Sequence, residues 1–271
     1  MMRTCFRSAL ALALLSTAAV GGETGVNVTK DVPYSASPAL SLDIYHPPEV
    51  SDETPVLVYL FGSGFGRGSG EQAYRIGPEF AAEGVIVVAP DLTFAEPFPE
   101  FVRLAAKGVA HAWKTLRTSS GDPRSMFLSG WSSGAYITGL LSYDERYLAA
   151  EGLPGDAIMG FIGLSGPYWG GLCGGSQCPN TFPPGTEADW AIPSFVDPDD
   201  PAMLLVWGTR DGNVERGNLD DLAAAGETAG IGVTTLILQD EFHSDTLNMM
   251  GVPDTEVFSA AKAFIGAVNA R

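Results

Sequence analysis

The chain has 271 residues, of which 45% are hydrophobic and 17% are charged, a composition typical of one globular domain with one large core. Its formal net charge of −17 predicts a strongly acidic surface, which repels nucleic acid and anionic lipid head groups and excludes both as expected partners. A charge of this sign and size is typical of a solvated surface and does not by itself indicate a binding site.

The first 22 residues have the features of a secretory signal peptide. Arg3 and Arg7 flank the start, a short apolar run follows at 9–15, and residues 16–22 are mostly small. Because this apolar run is too short to span a bilayer, we expect cleavage, export to the periplasm or out of the cell, and no membrane insertion of the mature protein. The remaining domain, residues 23–271, would then carry a net charge of about −19.

Beyond the signal peptide, apolar runs of strand length alternate with stretches of helical periodicity. The predicted strands are 26–36, 40–46, 56–61, 85–90, 126–128, 158–164, 202–207 and 233–238, and the first two are expected to form a hairpin. The predicted helices are 73–83, 97–117, 135–141, 218–229 and 254–268. This alternation predicts an α/β fold with a mostly parallel sheet, helices on both faces, and a ligand site at the carboxyl ends of the strands.

The alternation stops between Gly166 and Pro201, a stretch rich in proline and aromatic residues. Loops of this length are usually functional, so we predict that it lies over the active site and that Tyr168 and Trp169 contact the substrate. The alternative is that its aromatic residues form a local mini-core. Cys173 and Cys178 are the two cysteines left in an exported protein and predict a disulfide, with a two-ligand metal site as the weaker alternative.

A turn rich in glycine and serine separates the predicted strand at 126–128 from the predicted helix at 135–141. Its sequence is Gly-Trp-Ser-Ser-Gly, from Gly130 to Gly134. A sharp strand-to-helix turn would lift Ser132 above the sheet, within reach of a base, and direct the backbone N–H of Ser133 at a developing oxyanion. We therefore interpret Ser132 as a nucleophile, the alternative being an ordinary Gly/Ser-rich loop.

A serine nucleophile needs a general base, and the chain offers three histidines. His46 ends an early strand and His111 lies inside a helical run, which is typical of turn and helix-surface residues. His243 follows the last predicted strand, and Asp211 follows the strand before it, where its carboxylate could fix the tautomer of the base. The order Ser132, Asp211, His243 at three strand ends is the order expected of an α/β hydrolase.

These motifs resemble those of the α/β-hydrolase esterases of the carboxylesterase, hormone-sensitive-lipase-like and kynurenine-formamidase-like group, over about residues 40–267. The matching residues are 58–65 at that group's HGGG-type loop, 130–135 at the nucleophile turn and 207–211 at the acid turn. The resemblance implies hydrolysis of a small-molecule carboxylic ester without metal or other cofactor. It also implies backbone oxyanion donors at Ser63 and Gly64 beside Ser133.

The oxyanion loop departs from the group's pattern at two positions, with Phe61 in place of histidine and Ser63 in place of the second glycine. Because the donors are backbone N–H groups, the hole can survive if apolar packing of Phe61 holds the loop. Phe65 is expected in the substrate pocket. The sequence thus predicts an exported serine esterase for short acyl or small aryl esters. The alternatives are an aryl amidase or formamidase with the same triad, and a non-catalytic binding module on a hydrolase scaffold.

Overall fold

A computed structural model describes residues 25–65, 73–169, 181–182 and 187–270. The predicted signal peptide and both cysteines of the predicted disulfide lie outside the described residues. So does much of the predicted loop between Gly166 and Pro201.

The strands are β1 (Asn27–Ala36), β2 (Ala39–His46), β3 (Val56–Leu60), β4 (Ile86–Pro90), β5 (Met126–Trp131), β6 (Ile158–Leu164), β7 (Ala202–Gly208) and β8 (Val233–Leu238). They form one eight-stranded sheet in the order β1-β2-β4-β3-β5-β6-β7-β8. β2 pairs antiparallel with β1 and with β4, and all other pairs are parallel. The predicted α/β fold with a mostly parallel sheet and an initial hairpin is confirmed.

The helices in the described residues are α1 (Ile76–Ala82), α2 (Glu100–Thr115), α3 (Ser133–Tyr143), α4 (Glu145–Ala150), α5 (Gly217–Ala229), α6 (His243–Met250) and α7 (Glu256–Asn269). Two of them, α4 and α6, were not predicted from the sequence. The carboxylate of Asp144 starts α4 by accepting the N–H of Arg146 at 3.2 Å. None of the helices that the structure describes is long and apolar enough to cross a membrane.

Helices cover both faces of the sheet, and alternate residues of each strand face different cores. On β3, Val56, Val58 and Leu60 pack with residues of α2 and α3. Leu57 and Tyr59 point the other way and pack with residues of α1 and α7. All five side chains are almost completely buried, which explains the uninterrupted apolar run in the sequence.

The parallel strands end level with one another, and this register positions the predicted site. The last pairs are Leu60–Gly130, Trp131–Leu164, Leu164–Val206 and Gly208–Leu238. The turns after β3, β5, β7 and β8 therefore meet at one edge of the sheet. These turns carry the residues that the sequence predicted as nucleophile, acid, base and oxyanion donors.

Candidate active site

Ser132 occupies the turn between β5 and α3 in a strained backbone conformation, with φ 54° and ψ −125°. Non-glycine residues rarely adopt a positive φ, and such strain costs about 1–3 kcal/mol. The turn is tight because its glycines touch backbone directly: a Cβ on Gly130 would lie 2.4 Å from the carbonyl carbon of Gly134, and one on Gly134 would lie 2.1 Å from the oxygen of Leu60. The N–H of Ser132 donates to the carbonyl of Leu164 at 2.9 Å, which ties the turn to β6.

The structure brings the three predicted triad residues into one hydrogen-bonded chain. Ser132 Oγ lies 3.0 Å from His243 Nε2, and His243 Nδ1 lies 2.8 Å from Asp211 Oδ2. The side chain of His243 is 12% exposed and that of Asp211 is fully buried. His46 on β2 and His111 on α2 take no part in this chain.

The carboxylate of Asp211 is held by three donors. Its Oδ1 accepts the backbone N–H groups of Asn213 and Val214, each at 2.9 Å, while Oδ2 faces His243. Burial raises the pKa of Asp211, but the hydrogen bonds from His243, Val214 and Asn213 outweigh it and leave the pKa below its ordinary value. Asp211 is therefore ionised at neutral pH and can stabilise a protonated His243.

Trp131 contacts His243 in two ways, a role that the sequence analysis missed. Its indole N–H donates to the backbone carbonyl of His243 at 2.9 Å, and the two rings pack with centroids 4.9 Å apart. The ring of Phe61 packs on that of Trp131, with the two centroids 5.3 Å apart. The expected apolar packing of Phe61 is thus present. The position of Trp131, next to Ser132 in the turn, was the available signal.

The predicted oxyanion donors are in different states. The N–H of Ser63 donates to the hydroxyl of Ser133 at 2.9 Å, a bond that it would have to exchange to stabilise an oxyanion, and its role as an oxyanion donor stays a prediction. The N–H of Gly64 has no hydrogen-bond partner among the described residues. Ser133 is the first residue of α3, where an N–H has no partner within the helix. The oxyanion roles of Gly64 and Ser133 stay predictions.

Phe65, predicted in the substrate pocket, belongs to a cluster of aromatic side chains near the oxyanion loop. It packs edge-on or tilted against four rings at 5.1–5.9 Å, those of Phe94, Phe101, Tyr136 and Phe182. Phe182 in turn packs on Trp190 at 5.4 Å. These contacts favour the mini-core interpretation of the described aromatic residues in the long loop. Substrate contact by Phe65 stays a prediction.

Tyr168 and Trp169 lie in very different surroundings. Tyr168 is 1% exposed and packs on Phe161 at 6.0 Å, so its side chain belongs to the core and the expectation of a pocket residue is corrected. Trp169 is 45% exposed, its N–H donates to Asn218 Oδ1 at 2.9 Å, and its indole N–H donates to Asp221. Trp169 is thus attached to α5, and its contact with substrate stays a prediction.

In the part of the chain that the structure describes, no three side chains of His, Cys, Asp or Glu are close enough to hold a metal ion.

Residues 42–152, from β2 to just past α4, match the family model named BD-FAE. A probable isoprenylcysteine alpha-carbonyl methylesterase of Oryza sativa subsp. japonica is 24% identical over 245 residues, which is 80% of this chain and 58% of that protein. A fumonisin B1 esterase of Sphingopyxis macrogoltabida is 31% identical over 141 residues, 42% of this chain and 26% of that protein. The chain therefore spans 58% of the length of the first relative and 26% of the length of the second.

Solved structures resemble the chain over nearly its whole length. A truncated carbohydrate esterase from gut microbiota has a TM-score of 0.74 and 19% identity, covering 92% of this chain and 99% of that one. Esterase 2 of Thermogutta terrifontis has a TM-score of 0.72 and 18% identity, covering 91% of this chain and 94% of that one. With the sheet order and the position of the candidate site, these likenesses show that the chain has the α/β-hydrolase fold.

Proposed function

We propose that this protein is a serine hydrolase of carboxylic esters. The observation that carries the proposal is the contact from Ser132 Oγ through His243 to the buried carboxylate of Asp211, at 3.0 and 2.8 Å. A serine in a strained turn, a base within hydrogen-bond reach and an ionised orienting group are the parts that acyl transfer requires. The names of the relatives and of the similar structures, which are methylesterases and other esterases, support the same reaction class.

The proposed reaction uses each of these groups in turn. While its Nδ1–H donates to Asp211, His243 accepts the proton of Ser132 at Nε2. Ser132 Oγ attacks the ester carbonyl in the same step. The oxyanion is stabilised by backbone N–H groups, those of Gly64 and Ser133 being the candidates. His243 then gives its proton to the leaving alcohol, and water, activated by His243, releases the acid from the acyl-enzyme.

The substrate class and the cellular location belong to the same proposal. We expect short acyl or small aryl esters, because Phe65, the residue after Gly64, packs closely against the rings of Phe94, Tyr136 and Phe182. Export rests on the features of the first 22 residues. N-terminal sequencing of the protein recovered outside the cytoplasm, beginning near residue 23, would support export, and an uncleaved Met1 would contradict it.

The decisive experiment measures hydrolysis of para-nitrophenyl esters of increasing acyl length by the wild type and by Ser132→Ala. We expect kcat to fall by a factor on the order of 10³ or more in Ser132→Ala. Ser119→Ala is a matched control, since Ser119 lies on an exposed turn where its hydroxyl donates to Asp52. Full activity of Ser132→Ala would refute the assignment. Absence of hydrolysis in the wild type, with no labelling of Ser132 by an organophosphonate, would favour a binding module instead.

A further inference from the structure

A buried polar contact joins the end of β6 to α6, the helix that carries His243. Ser165 directly follows β6 and Thr246 lies on α6, and their hydroxyl oxygens are 3.2 Å apart. Both residues are almost completely buried. Thr246 Oγ1 also donates to the backbone carbonyl of His243 at 3.0 Å. These groups form a hydrogen-bonded chain that starts at the sheet and ends on the backbone of the base.

The direction of this chain follows from the number of protons. A hydroxyl has one proton to donate, and Thr246 gives its proton to the carbonyl of His243. Thr246 can therefore only accept from Ser165, which makes Ser165 the donor at 3.2 Å. Bonds that run in one direction strengthen one another, and a buried hydroxyl without a partner would cost free energy. The side chain of Ser165 is thus tied to α6.

The backbone of Ser165 is fixed by the same peptide group that holds the nucleophile turn. The carbonyl of Leu164 accepts the N–H of Ser132 at 2.9 Å, and the N–H of Ser165 donates to the carbonyl of Val206 at 2.8 Å. This carbonyl and this N–H belong to one planar peptide group, which is therefore held from both sides. One peptide group thus anchors the nucleophile directly and, through the side chain of Ser165, the helix of the base.

Ser165 also has a strained backbone, with φ 47°. This left-handed region favours glycine, so a side chain at this position carries a conformational cost. Such strain persists only where the surroundings hold it, and it is concentrated at active sites. Ser132 at the end of β5 has the same kind of backbone, with φ 54°. Two strained serines therefore stand at the ends of neighbouring strands, one as nucleophile and the other bound to α6.

We propose that Ser165 is a positioning residue: through Thr246, it holds the helix that carries His243 at the correct distance from the nucleophile. The distance from His243 Nε2 to Ser132 Oγ is 3.0 Å, and a small displacement of a catalytic group lowers the rate steeply. Trp131 binds the same carbonyl of His243 from β5, so the base is held from two strand ends. This inference rests on the proposed ester hydrolysis and adds a residue that supports its base.

The first test is Ser165→Gly, which removes the hydroxyl and relieves the strain of the positive φ. Because the two effects on stability oppose each other, the variant should melt close to the wild-type temperature. We expect kcat for para-nitrophenyl acetate to fall about threefold to tenfold, the equivalent of one neutral hydrogen bond, with little change in KM. The rate at which an organophosphonate labels Ser132 should fall by the same factor, since the attack by Ser132 needs the base.

Two substitutions of Thr246 separate its hydroxyl from its shape. Thr246→Val keeps the volume but breaks the chain, so kcat should fall at least as far as in Ser165→Gly. Thr246→Ser keeps the hydroxyl and should have kcat close to that of the wild type. Because Ser165 acts through Thr246, the double variant Ser165→Gly/Thr246→Val should have the kcat of Thr246→Val alone.

The control is Ser142→Ala, since Ser142 is a buried serine on α3 whose hydroxyl donates to the carbonyl of Thr138 at 2.8 Å. An equal loss of kcat in Ser142→Ala would show a general effect of removing a buried hydroxyl and overturn the inference. Losses that multiply in the double variant would also overturn it. If the wild type neither hydrolyses the ester nor is labelled, the proposed function fails together with this inference. An active wild type with unchanged kcat in folded Ser165→Gly refutes this inference alone.

Discussion

Replacing Trp131 tests whether its contacts position the base. The indole N–H donates to the carbonyl of His243, a bond of about 1 kcal/mol, and the ring contact adds about 0.5–1.5 kcal/mol. Trp131→Phe loses only the hydrogen bond, and Thr246 still donates to the same carbonyl at 3.0 Å, so kcat should fall by about fivefold at most. Trp131→Ala loses both contacts, about 2 kcal/mol, and should lower kcat by about 30-fold.

The assay is kcat and KM for a short-chain para-nitrophenyl ester, with the melting temperature of each variant measured alongside. A positioning role lowers kcat with little change in KM, because the orientation of His243 matters most in the transition state. Trp113→Phe is the control, since Trp113 lies on α2 under the guanidinium of Arg117. Wild-type kcat in a fully folded Trp131→Ala protein would refute the reasoning. So would a loss of kcat that merely follows the fraction of unfolded protein.

Three further predictions concern other parts of the molecule. Phe61→Ala should lower the melting temperature, with a loss of about 1–3 kcal/mol in the free energy of unfolding for a half-buried ring, and should also lower kcat. Phe61→His should be tolerated. An unchanged rate in Phe61→Ala would show that the bond from Ser63 to Ser133 suffices to hold the loop. In urea unfolding, the stability advantage of the wild type over Asp211→Asn should shrink from about pH 7 to about pH 3. A carboxylate whose pKa is lowered by folding stabilises the protein above its unfolded pKa and loses that contribution as the pH falls through the folded pKa, so a constant difference would contradict the ionised state of Asp211. Replacing Cys173 and Cys178 by serine should raise KM or alter acyl preference with little change in melting temperature, and free thiols detected by mass spectrometry of the exported protein would contradict the disulfide.

Strands β3 to β7 were predictable because each contains a short apolar run that both cores bury. The bounds of β6 and β8 agree with the sequence prediction residue for residue. Helix α6 was missed because its eight residues are mostly polar and carry little helical periodicity. It starts through a local contact, in which the carboxylate of Asp245 accepts the N–H of Phe242 at 2.7 Å. The sequence predicts no helix between the strand at 233–238 and the helix at 254–268, so the position of His243 after the last strand is correct but the helix that carries it is missing from the prediction.

Contacts between distant residues account for the other differences at the site. The proximity of Ser132, Asp211 and His243 could be predicted because each follows a predicted strand of a mostly parallel sheet, and level strand ends bring such residues together. The bond from Ser63 to Ser133 joins residues 70 positions apart and depends on a side chain whose direction no local pattern gives. Tyr168 looked available because it lies at the start of a long loop, yet its ring fills the space above Gly163 of β6 and Gly166 just after that strand.

The close approach of four backbone segments, in two pairs, bears on whether the departures at Phe61 and Ser63 matter for catalysis. A Cβ on Gly62 would lie 2.2 Å from the oxygen of Trp131, and one on Gly208 would lie 2.4 Å from the oxygen of Glu241. The oxyanion loop is thus seated directly on the nucleophile turn, and the acid turn directly on the segment before His243, with no side chain between them. These main-chain contacts are compatible with phenylalanine at position 61 and serine at position 63, the two positions that depart from the group's pattern. A scaffold that had lost catalysis would have no need to retain these contacts together with a strained Ser132, and this is why we infer an enzyme rather than a binding module.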